Sequence, residues 1–151
     1  MALAGLLVVP DANILIRALR DASAAEQFRR FVRRRSRLLA MAAVVEMELR
    51  AGARTGSQRA ASERLCGAVA EDGRRLVPSA LAYREAGRVM ADLATHERVE
   101  LATQRGSFTV DVLLAVTCRE HEAVLVTANA ADFERIQRHL RGFRFVTEWP
   151  N

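Results

Sequence analysis

Residues 110–139, VDVLLAVTCREHEAVLVTANAADFERIQRH, carry the pattern that decides the fold. Val110–Glu120 is apolar on nearly every face at helical spacing, which predicts a buried helix. Val124–Val126 is a short apolar run, which predicts a buried strand. Asp132–His139 returns to an amphipathic helical pattern. A strand buried between helices belongs to a parallel sheet covered on both faces.

The same alternation extends outward. Leu6–Val9 predicts a first strand, ended by Pro10. Ala24–Arg34 predicts a helix with Phe28, Phe31 and Val32 on one face and its arginines mostly outside. Leu38–Met41 is a second strand, followed by helices from about Val44 to Ala53 and Gln58 to Glu71. Leu76–Val77 is a short strand turning at Pro78. Ala80–Arg98 is a long helix with Leu81, Ala86, Val89, Met90 and Leu93 toward the core. Phe143–Val146 is the last strand. The expected class is α/β with a mostly parallel central sheet, in one domain spanning residues 1–151. Ligands bind such sheets beyond the carboxyl ends of the strands, so the residues just after each strand matter most.

Half of the residues are hydrophobic, enough for a core without disulfides or structural metal. Cys66 and Cys118 sit in apolar helical patterns and read as buried thiols of a cytoplasmic protein. Met1–Pro10 is apolar, but Asp11 interrupts it far short of the roughly 18–20 residues that cross a bilayer. It reads as neither signal peptide nor membrane span. Net charge is +5, and all 23 basic residues are arginine. Without lysine, the chain cannot be a P-loop NTPase, nor a receiver domain or haloacid-type phosphatase, which pair acids with a lysine. Arginine favours bidentate phosphate contacts, although a GC-rich genome produces the same bias. The cluster Arg29, Arg30, Arg33, Arg34, Arg35 and Arg37 suits a rim that tracks phosphates beside an acidic site; a solvated helix face explains it equally well. Cys66, His96, His121 and His139 fit no metal or nucleophile spacing.

Four acids fall at the predicted carboxyl edge. Asp11 directly follows the first strand, Glu48 lies a turn into the helix after the second, and Asp132 opens the helix after Val124–Val126. Asp111 heads the apolar helix that leads into that strand, where an unpaired carboxylate is costly. Converging acids repel and raise one another's pKa, and a divalent cation relieves this. Hard oxygen ligands suit Mg²⁺ or Mn²⁺, and one or two such ions can activate water on a phosphodiester. Taken singly, Asp11, Asp111 and Asp132 also read as helix caps or first-turn acids, and Glu48 as a solvated helix residue.

These residues also carry a family resemblance in four blocks: D-x-N at Asp11-Ala12-Asn13, E-L-x-x-G at Glu48-Leu49-Arg50-Ala51-Gly52, D-x-x-x-A at Asp111–Ala115, and T-x-N-x-x-D-F at Thr127–Phe133. In this order, they resemble the PIN-domain proteins of the VapC toxin type. The resemblance implies a three-layer α/β/α fold. It implies Mg²⁺ or Mn²⁺ held by Asp11, Glu48, Asp111 and Asp132, with Asn13, Thr127 and Asn129 ordering the acids or contacting metal-bound water. It implies hydrolysis of single-stranded or loop RNA, leaving a 5′-phosphate. It implies two protein partners as well, a second copy in a homodimer and a VapB-like antitoxin whose tail occupies the groove. A PIN nuclease outside a toxin system, in RNA maturation or DNA processing, and an inactive PIN-fold binding module are the competing readings; the intact quartet argues against the second. Glu46 and Glu48 lie roughly 200° apart on a helix, and the E-L-x-x-G frame selects Glu48. Glu46 then reads as a capping, surface or supporting residue. Pro10 departs from the family's usual apolar strand residue, which a strand end tolerates.

Overall fold

The computed structural model describes residues 5–70, 74–98 and 106–151. The strands are β1 (Val8–Pro10), β2 (Met41–Ala42), β3 (Arg75–Leu76), β4 (Val124–Val126) and β5 (Arg144–Val146). All pairings are parallel: β1 with β4, β4 with β5, and β2 with β3. A bridge between Val8 and Leu39 joins the two groups, so the strands read β3-β2-β1-β4-β5 across the molecule. The order reverses direction between β1 and β4, and the crevice at such a switch point is where open α/β sheets bind ligands.

The helices are α1 (Ala12–Arg20), α2 (Ala22–Arg35), α3 (Ala43–Gly52), α4 (Gly56–Val69), α5 (Ala80–His96), α6 (Gly106–Glu120) and α7 (Ala130–His139). This is the expected helix-rich α/β class with a parallel sheet. Asp21 both ends α1 and starts α2. Its N–H donates to Arg17 O at 2.9 Å, and its carboxylate accepts from Ala24 N at 2.7 Å. Thr55 and Gln58 close a reciprocal capping box on α4. Val112, Leu114, Ala115, Val116 and Cys118 of α6 are buried. Even Thr117 is buried, its hydroxyl satisfied by Leu113 O at 2.7 Å.

Several expectations are corrected. Helix α1 is absent from the sequence reading, because D-x-N followed by β-branched Ile14 and Ile16 has little helix propensity; Asp11 nevertheless caps it, with Leu15 buried beneath. Pro10 ends β1 as expected, and it still pairs with Val126 as the last residue of the strand. Its missing N–H falls on the β2 side, and Asp11 N donates to Val126 O at 2.8 Å to continue the ladder on the other. Leu81 points outward at 67% exposure, and Ala82 takes the buried position. Helix α6 begins at Gly106, four residues before the expected Val110. The expected end of α4, Glu71, lies outside the described residues.

Candidate active site

The switch point is closed by hydrogen bonds among side chains that follow β1 and β4. Asp11 is only 4% exposed. Its Oδ1 accepts from Ala12 N at 2.7 Å, and its Oδ2 accepts from Asn13 Nδ2 at 2.9 Å and from the Thr127 hydroxyl at 2.7 Å. Thr127 is wholly buried and takes the N–H of Asn129 at 3.1 Å on the same oxygen. Asn13 closes the circuit by accepting from Ala128 N at 3.1 Å. Every polar atom of this group is thus committed. Burial pushes the Asp11 carboxyl above its usual range, against the pull of its three hydrogen bonds.

Asp111 occupies the second turn of α6, with 8% exposure. It is therefore not at a helix head, and neither capping nor the helix dipole accounts for it. Burial first, then the charges of Asp11, Glu48 and Asp132, push its carboxyl up to about 8. Asn129 lies between Asp111 and Asp132. Its amide donates to Asp132 Oδ2 at 2.9 Å and more weakly to Asp111 Oδ2 at 3.4 Å. Asp132 is the third residue of α7 and keeps the first-turn position that the dipole favours. Arg135, one turn on, stands 3.8 Å from Asp132 and 3.5 Å from Glu97. Arg135 was not singled out in the sequence; an Asp–Arg pair at i,i+3 was the available signal.

Glu48 is half-buried on α3 and makes no hydrogen bond or ion pair with any described residue. Burial and then the Asp11 charge raise its pKa. Glu46 turns away. It pairs with Arg50 at 2.9 Å and Arg75 at 2.9 Å, tying α3 to β3, and the Arg75 guanidinium leads in holding its pKa low.

The four candidate acids therefore stand within electrostatic reach of one another on four different elements. Among the described residues, no three acid, histidine or cysteine side chains close into a ready ligand cage. The Asn129 amide between two of the acids and the mutual repulsion of like charges account for that spacing. The donor set of carboxylates, carboxamides and a hydroxyl fits a hard divalent cation. His139 and Glu97, 2.8 Å apart, pair on the far end of α7 and take no part.

Residues 8–139 match the family model of the PIN domain. No curated protein matches the chain. A chain in the structure of DNA-bound VapBC from Salmonella typhimurium is 25% identical with a TM-score of 0.64, over 93% of this chain and 97% of that one. A chain of VapBC2 from Rickettsia felis, bound to a DNA fragment from the promoter, is 17% identical with a TM-score of 0.66, over 96% and 100%. A chain of FitAcB from Neisseria gonorrhoeae is 16% identical with a TM-score of 0.69, over 96% and 100%. At these lower identities the likeness is one of fold. Among the described residues, no helix is long and apolar enough to cross a membrane.

Proposed function

This chain belongs to the PIN-domain family, and from that premise we propose that it is a metal-dependent endoribonuclease, the toxin of a VapBC-like toxin–antitoxin pair. The observation that carries the reading is Asp111. A carboxylate buried mid-helix in an apolar segment, facing three other acids, destabilises the fold and has no structural task. Such a cluster fits a bound divalent cation, which offsets its mutual repulsion.

Asp11, Glu48, Asp111 and Asp132 would hold Mg²⁺ or Mn²⁺. Bound there, the ion supplies a Lewis acid for the phosphodiester and lowers the pKa of attacking water. The protein's own residues do the positioning. Thr127 and Asn13 fix the Asp11 carboxylate in one rotamer. Asn129 sets the separation of Asp111 and Asp132. Glu48, free of hydrogen bonds to described residues, is the acid best able to swing.

The fold likeness to chains of the VapBC and FitAcB structures supports a small antitoxin protein as partner. Exposed Val77, Leu81 and Tyr83 support a second copy in a homodimer. The family match, from residue 8 to residue 139, supports a single catalytic domain, and we place its action on RNA in the cytoplasm. The test is cleavage of total bacterial RNA by antitoxin-free protein with Mg²⁺ or Mn²⁺, with EDTA, and with Asp111→Asn. Discrete fragments that require both metal and Asp111 are expected. Folded protein that binds metal but cuts no RNA would overturn the reading.

A further inference from the structure

We propose that the groove between α2 and the segment after β5 is the track for the substrate's phosphodiester backbone, with Arg17, Arg30, Arg34 and Arg35 as its contacts. The proposal rests on the ribonuclease reading above. The groove encloses about 520 Å³, and α1 contributes Arg17 while α2 contributes the other three arginines. Among the described residues on its wall, Glu148 is the one acidic side chain against four arginines, so that lining is net positive.

Pairing separates the arginines of α2 into two groups. Arg29 and Arg33 are neutralised by Glu26, at 3.1 and 2.9 Å. Arg17, Arg30, Arg34 and Arg35 make no side-chain hydrogen bond or ion pair with any described residue. Like charges gathered without a directly paired counter-charge repel one another, and an anionic partner offsets that cost. Guanidinium groups suit phosphate oxygens because their donors form a planar fork. Trp149, packed on Phe31 at 4.7 Å and only half-buried, gives the groove an aromatic wall on which a base can stack.

Position favours a nucleic acid over an acidic peptide. Ile14 and Val126 line the groove, and each is the immediate chain neighbour of a residue bonded to Asp11, namely Asn13 and Thr127. A strand lying along the arginines is delivered to the carboxylates, whose own charge repels it.

The experiment is fluorescence anisotropy of a labelled short single-stranded RNA in EDTA, where no cleavage occurs. R30Q/R34Q is compared with R29Q/R33Q, two variants that lose the same net charge. The groove variant should bind at least tenfold more weakly, and its slope of log affinity against log salt should flatten by about 1.4. The paired-edge variant should change by less than about threefold, as expected of surface ion pairs. Should R30Q/R34Q unfold, Arg17→Gln on the other helix makes the same test. Equal losses in the two variants, no loss in either, or tighter binding of a poly-glutamate peptide than of RNA by the unaltered protein would overturn the proposal. RNA binding through the groove without metal-dependent cleavage would sink the ribonuclease reading and leave the groove standing. Cleavage with an indifferent groove variant would do the reverse.

Discussion

Replacing Asp111 with Asn should stabilise the metal-free protein, and the gain should grow with pH. In the folded chain Asp111 keeps its proton up to about pH 8, because burial and three neighbouring acids oppose ionisation. In the unfolded chain it ionises near the ordinary value of 3.8. Between those two values the folded state binds more protons, so folding stability falls as pH rises. The full displacement, at about 1.4 kcal/mol per pH unit, reaches on the order of 5 kcal/mol near pH 7.5. Water admitted beside half-buried Glu48 reduces this, so roughly 2–5 kcal/mol is the expected range. Asn carries no charge in either state and escapes the penalty. Urea unfolding of both proteins in EDTA, at pH 4.5, 6 and 7.5, measures it. The two should differ by no more than about 1 kcal/mol near pH 4.5 and separate by about 1–2 M in midpoint at pH 7.5. Adding Mg²⁺ at pH 7.5 should then raise the unaltered protein and leave the variant nearly unmoved. A variant less stable than the parent at pH 7.5, or curves that stay parallel across the pH range, would refute the account. Asp111 would then be serving the helix.

Thr127→Val removes the hydroxyl that joins β4 to Asp11; about 1–3 kcal/mol of stability should be lost by urea titration, with RNA cleavage down at least tenfold. Glu48→Gln should abolish metal-dependent cleavage while leaving the urea midpoint the same or higher, whereas Glu46→Gln, whose partners are Arg50 and Arg75, should cost no more than about 1 kcal/mol and keep cleavage. If the two effects exchange places, the E-L-x-x-G frame has selected the wrong acid. Leu114→Ala empties a wholly buried position of α6 and should cost about 2–5 kcal/mol in the same titration.

Parts of this architecture are legible in the sequence because local physics decides them. Val124–Val126 reads as a strand and is one, residue for residue, since three apolar residues between turn-forming neighbours admit little else. The long apolar helix before it is equally plain. Its start is not: Gly106, Ser107 and Thr109 are poor helix formers, so the apolar pattern starts at Val110 and Asp111 reads as a cap. Only tertiary packing, with Phe108 buried, extends the helix backward and leaves Asp111 without a structural purpose. Strand order and the Glu46–Arg75 pair depend on contacts far apart in the chain, which no local pattern encodes. Asp11, Glu48 and Asp132 were readable as positions after strands, and Asp111 as a charge at the head of an apolar helix. Their spacing, with Asn129 interposed, was not.

The bond from Thr127 to Asp11 spans 116 residues of chain. On the ribosome, Asp11 emerges 116 residues before Thr127, whose support arrives only when β4 has left the exit tunnel and inserted beside β1. Parallel pairing of such distant strands is among the slower events of folding. Until then the carboxylates of the nascent chain are not gathered into one site. The acidic centre assembles only once Asp132 has followed β4 out of the tunnel, which leaves an interval after Asp11 emerges in which the unfinished site is open to a binding partner.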